Sequence, residues 1–194
     1  ISAASLLGGV VTASELQVDA GVNYSTNGAG TSYIDLFGRD FFIPAGVTLD
    51  LSDAVVGNLD TLVIRTHQPG DYIRIDGDVS LTRTGGQSVH LQLISGTATG
   101  VAISLDGMLT GTGSTNNAAG NVLFDAAVGS VAIGGTINLI GGPGTTGSAG
   151  GRVELIVRQN NAWLAGGILQ GNGGDGTIGN HGGFIEVSVG DNDQ

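Results

Sequence analysis

Cysteine is absent from the chain, and so is lysine: the six basic residues are all Arg. Without Cys there is neither a disulfide framework nor a thiolate metal site. Proline occurs three times and aromatics make up 5% of the chain. No run approaches the ~20 apolar residues of a membrane helix, so no membrane span is expected. Positive charge is scarce as well, and the formal net charge is −11. A field of that sign disfavours nucleic acid and anionic membrane surfaces as partners. Missing Lys and few aromatics fit a secreted bacterial protein of the cell surface better than a cytosolic enzyme.

Glycine is what the chain has in excess, at 37 of 194 residues, where a usual share is ~7%. Hydrophobic residues still make up 40%, so the chain is no disordered polar tract. The glycines fall between short stretches in which apolar and polar residues alternate. Alternation marks strands, because successive side chains on a strand point to opposite faces. The stretch Gly135 to Val157 shows the unit: Ile137 and Leu139 alternate, a Gly-rich run follows, then Val153, Leu155 and Val157 alternate. The segment Gly166 to Val189 repeats it.

One punctuation mark recurs, an apolar residue, a short Gly turn and another apolar residue. It is centred on Gly46, Gly77, Gly107, Gly135 and Gly167, at spacings of 31, 30, 28 and 32 residues. Gly turns a chain with positive φ at little steric cost. Each interval holds three strand-like pieces: one after the Gly, one mid-repeat, one before the next Gly. Upstream, Leu16-Val18, Ile34-Leu36 and Phe41-Ile43 fit an earlier, more aromatic copy. No window holds a helical i, i+3, i+4, i+7 pattern for ten residues without Gly interrupting it. Two-residue hairpin turns are largely missing, which argues against a meander.

The expected fold is therefore all-β: a parallel β-helix of about six coils, about thirty residues each, with every strand paired to its counterpart one turn on. A β-sandwich is the alternative, since short strands with frequent turns also describe it. Residues 14–194 form one solenoid domain in this reading, and residues 1–13 an apolar N-terminal arm. The Gly-rich loops Gly111–Gly120, Gly141–Gly151 and Gly171–Gly183 follow the first strand of their repeats and should line up along one edge.

Strands that begin after a double Gly and continue in short alternation, as in GGRVEL and GGFIEV, resemble those of bacterial extracellular right-handed β-helices. Haemagglutinin-like adhesins and surface repeat proteins belong to that group. The resemblance covers most of residues 46–189 and implies a right-handed coil. The Asn-Pro-Asn-Gly segment of two-partner secretion domains is not found.

Candidate chemistry is sparse. Carbohydrate-active β-helices, which this chain resembles in fold alone, need clustered carboxylates or a Ca²⁺ beside a proton-abstracting base. The best cluster is Asp71, Arg74, Asp76, Asp78 and Arg83, with Asp106 a turn later. It is read first as a solvated charge set. His67, His90 and His181 lie too far apart to form a metal site, and none has a ligand partner at i+2 to i+4. Gly173-Gly174-Asp175-Gly176 echoes half of the Ca²⁺-binding GGxGxD repeat, but the spacing differs and the motif does not recur, so it is read as loop punctuation; Ca²⁺ is the one ion to consider, and no cofactor is assigned. Glu154 and Glu186 fall at matching positions, and stacked like charges are unfavourable unless screened or bridged by a cation. Both are expected to face water. Asn23-Tyr24-Ser25 is a lone glycosylation sequon. Trp163 is expected in the core or at the Gly166 turn. Thr97-x-Thr99 and Thr110-x-Thr112 suggest ice-binding Thr ranks but do not recur in every turn.

The ends are the more informative feature. A β-helix cut across exposes unpaired backbone groups and apolar side chains. No amphipathic capping helix is visible at either end. Leu6, Leu7, Val10 and Val11 in the arm need burial, and so do Ile185, Val187 and Val189 in the last strand. The expected function is structural and non-enzymatic: an extracellular block that stacks head to tail into a filament, matrix fibre or adhesive surface layer, with the arm either donating a strand to its neighbour or folding back over its own coil as a cap. The alternatives are a glycan-binding or polysaccharide-cleaving module and an ice-binding solenoid.

Overall fold

The structure, a computed structural model, describes residues 22–26, 30–51, 59–96, 98–146, 148–160, 162–164, 166–178 and 181–190. The arm with Leu6, Leu7, Val10 and Val11, the stretch Leu16-Val18, and Thr97 lie outside the described residues. Among those described every regular element is a strand.

Three sheets run the length of the molecule. The first holds the longest strands: β2 (Thr31–Leu36), β5 (Thr61–Thr66), β8 (His90–Ser95), β11 (Val122–Ala126), β15 (Arg152–Val157) and β19 (Phe184–Val189). The second is built from β3 (Phe41–Ile43), β6 (Ile73–Ile75), β9 (Val101–Leu105), β12 (Ser130–Ile133) and β16 (Ala162–Leu164). The third takes β4 (Thr48–Asp50), β7 (Asp78–Ser80), β10 (Met108–Thr112), β13 (Thr136–Ile140) and β17 (Ile168–Asn172). The chain visits them in rotation, so each strand pairs in parallel with its counterpart one turn later. This is a parallel β-solenoid of about five turns. The sequence rhythm suggests about six. The difference lies at the two ends, where Leu16-Val18 lies outside the described residues and β19 opens a turn without completing it.

Register follows the hydrophobic pattern. Leu62, Leu91, Val122, Val153 and Ile185 stack in one inward file, and Ile64, Leu93, Phe124, Leu155 and Val187 in the next. A one-residue slip would turn every one of these to water, which is why alternation fixes the pairing. Thr66 and Ser95 occupy a third inward file, where the Thr66 hydroxyl donates to Ser95 Oγ at 3.2 Å and both stay buried.

The turn glycines do more than turn. Gly46 has the expected left-handed backbone, with φ 79°. Gly77, Gly107 and Gly135 do not; they lie where successive coils touch backbone to backbone. A Cβ on Gly107 would run into the Gly77 carbonyl, and one on Gly135 into the Gly107 carbonyl. Close stacking, rather than turn geometry, requires glycine there. The Gly-rich loops stack along one edge, where β14 (Gly144–Thr146) pairs in parallel with β18 (Gly176–Ile178).

Strand β1 (Val22–Thr26) breaks the pattern. It pairs antiparallel with β2, Val22 opposite Leu36 and Thr26 opposite Ser32.

Candidate functional site

The charge cluster expected near one corner is divided by the fold. Asp71 is buried, and its carboxylate accepts the N–H of Gly38 at 2.8 Å and of Gln68 at 3.3 Å, so it ties two coils together. Asp78 accepts the Met108 N–H at 3.2 Å on the third sheet. Arg83 reaches Asp60 at 3.2 Å. Arg74, Asp76 and Asp106 remain neighbours on the outer face of the second sheet. Arg74 pairs with Asp76 at 2.7 Å and lies over the Phe42 ring at 5.5 Å. The hydrogen bond and charge of Asp76 push the Arg74 pKa up. A shallow groove of about 500 Å³ opens here, lined by Asp40, Phe42, Tyr72, Arg74, Ser104 and Asp106.

Phe42, Arg74, Ser104, Ala132 and Trp163 form one outward file of this sheet. Trp163 is half exposed, not packed in the core as its size suggests. Alternation decides this, because Leu164 takes the inward position above Ile133 and leaves the indole outside.

The histidines lie on separate surfaces. His67 stacks on Phe37, ring centroids 4.5 Å apart, and meets Asp35 at 2.8 Å. Burial alone would raise the Asp35 pKa, but hydrogen bonds from Arg65 and His67, with their charges, hold it below its ordinary value. His90 Nδ1 accepts the Asn121 N–H at 2.9 Å, which places the ring proton on Nε2. Burial pushes the His90 pKa down, against the charge of Asp60. His181 lies in an exposed turn.

Glu154 and Glu186 do stack, and the cation between them belongs to the chain. Arg152 Nη2 lies 3.3 Å from Glu154 and also donates to Glu186. On the third sheet the file through Thr110 reads Asp50, Ser80, Thr110, Asn138 and Gln170, with no Thr rank.

The two ends differ. Ile34, Leu36, Phe41, Ile43, Leu49 and Leu51, the inward residues of the first coil, are at most 4% exposed. At the other end Ile185, Val187 and Val189 are 44%, 46% and 51% exposed. They stand in register above Val153, Leu155 and Val157, each wholly buried. Beside them Leu164 is also about half exposed, and β19, β16 and β17 are the terminal strands of their sheets. The C-terminal cross-section thus combines open strand edges with unburied aliphatics.

Compared with protein-family models, curated proteins and solved structures, the chain has no match. Its architecture is defined by its own strand pairing.

Proposed function

We propose that this chain is a structural block that joins end to end with its own kind, in a secreted filament, matrix fibre or adhesive layer of a bacterial surface. One observation carries the reading: Ile185, Val187 and Val189 hold core positions yet remain half exposed. Burying the exposed half of such side chains is worth about 1 kcal/mol each, and a parallel coil of the same kind is the shape that does so while satisfying the strand edges. Because the inward residues of the first coil are already buried, the joint is not two bare coils meeting. A heterologous joint of this kind does not close on itself, so growth continues as a filament. Negative-stain images of the purified protein test this. Rods of constant width and many subunits in length are expected. Single particles at every concentration tried would overturn the reading.

A second reading has one observation in its favour, the groove with its exposed Phe42 ring, Arg74 and Asp106. An aromatic face beside hydrogen-bonding charges suits a sugar ring with acidic substituents. Binding to a panel of acidic polysaccharides, lost in Arg74→Ala, supports it; no binding across the panel removes it.

A further inference from the structure

A second hollow, of about 250 Å³, opens on the outer face of the first sheet across its middle coils. Two outward files meet in it. One runs through His90, Asn121 and Arg152, where β8, β11 and β15 begin. The other runs through Gln92, Leu123 and Glu154, two residues further along. Neighbours within a file stand about 4.8 Å apart.

The first file offers donors alone. His90 Nδ1 accepts the Asn121 N–H at 2.9 Å, and Asn121 Oδ1 accepts the Arg152 N–H at 3.0 Å. Each acceptor is used by the backbone of the next coil, which fixes the imidazole tautomer and the orientation of the amide. The His90 Nε2–H and the Asn121 Nδ2 amino group remain, without a hydrogen-bond partner among the described residues. Arg152 adds a guanidinium, which also only donates. In the second file Glu154 supplies acceptors and Gln92 one group of each kind, with Leu123 as an apolar floor between them.

Charge selects among the ligands that could use this pattern. Burial lowers the His90 pKa from an ordinary value already below 7, so the ring is neutral at pH 7. Arg152 is outnumbered by Glu154 and Glu186, both paired with its guanidinium. The patch is thus net negative in a chain of net charge −11, and an anion is disfavoured there. We infer that this hollow binds one uncharged sugar ring, with its C–H face on Leu123, its oxygens accepting from His90 and Asn121, and a hydroxyl donating to Glu154. A hydroxyl accepts and donates at once, as a file of donors beside a carboxylate requires. A cavity of about 150 Å³ already admits benzene, so a substituted six-membered ring fits in 250 Å³. The site is separate from the Arg74 groove on the second sheet and does not depend on end-to-end joining.

Titration of the full chain with neutral methyl hexopyranosides, read by amide and imidazole chemical shifts, tests this. Millimolar binding is expected, with the shifts centred on His90, Asn121 and Leu123. Asn121→Asp keeps the oxygen that accepts the Arg152 N–H and replaces the amino donor with a second acceptor. Binding should weaken at least about tenfold. Glu154→Gln, on the partly exposed outer face, should weaken it as well, whereas Arg74→Ala should leave it unchanged. No shift with any neutral glycoside would overturn the inference. So would undiminished binding in both Asn121→Asp and Glu154→Gln, loss of binding in Arg74→Ala, or tighter binding of hexuronates than of neutral hexosides.

Discussion

Two glycines of the same turn motif hold their places for different reasons, and substitutions separate them. Gly46 has a left-handed backbone and nothing within 4 Å of where a Cβ would point. Gly107 has an ordinary φ and the Gly77 carbonyl in the way. Gly46→Ala is expected to cost about 1–2 kcal/mol from backbone strain, and Gly46→Asn less, because Asn tolerates that region. Gly107→Ala is expected to cost about 1–3 kcal/mol or more, with Gly107→Asn no better, because coils must separate to admit either side chain. Urea midpoints of the four variants check this; rescue by Asn at position 107 would contradict the stacking account. The spacing of these glycines is plain in the sequence. Their stacking is not, since only the paired coils reveal which carbonyl lies above which Cα. His90 adds a pH dependence at the same scale. Its folded-state pKa is depressed by burial, so the unfolded chain takes up the proton first. Stability should fall as pH drops below about 6.5 and level off below the folded pKa. Urea midpoints from pH 7.5 to 5 should slope in the wild type and be flatter in His90→Asn. A steeper slope in the variant would contradict the role given to the ring.

A single rung is the unit of stability at the scale of the element. Phe124 is wholly buried between Leu93 and Leu155 in its file. Phe124→Ala should cost about 3–5 kcal/mol, with the loss felt first in the adjoining coils, because each rung touches only its neighbours. Hydrogen exchange in β8, β11 and β15 reads this directly; uniform loss of protection along the whole solenoid would contradict nearest-neighbour stability. On the outer face, Arg152→Ala should leave Glu154 and Glu186 stacked without a cation. Both are partly exposed, so the cost is expected below about 1 kcal/mol and should shrink with added salt. A cost that stays the same in 0.5 M NaCl would contradict a charge effect. The strands were legible because each inward file repeats at one rhythm, from Leu62 through Ile185. The antiparallel pairing of β1 with β2 lies outside the repeat, so the repeat rhythm does not reveal it. The division of Asp71, Asp78 and Arg83 among separate surfaces was also hidden. Residues a few positions apart in sequence lie on different sheets when the chain turns a corner between them.

The described coils stack over about 24 Å for five turns, with a covered first coil and a more exposed last one. Side-chain spacing puts Ile185, Val187 and Val189 at inward positions; their exposure, and the burial of the first coil, are read only from the packed coils. Each copy of the chain carries a net charge of −11, so copies repel one another, and the proposed end-to-end joint must form against that repulsion. Salt should therefore promote assembly, by screening over about 8 Å at 0.15 M. Hydrogen exchange of residues 184–189, followed from dilute to concentrated protein, locates the joint itself. If copies meet on the open coil, amides of β19 gain protection with concentration while those of β3 and β4 stay as they were. Equal exchange of β19 at all concentrations would contradict the account, whatever the size of the particles seen.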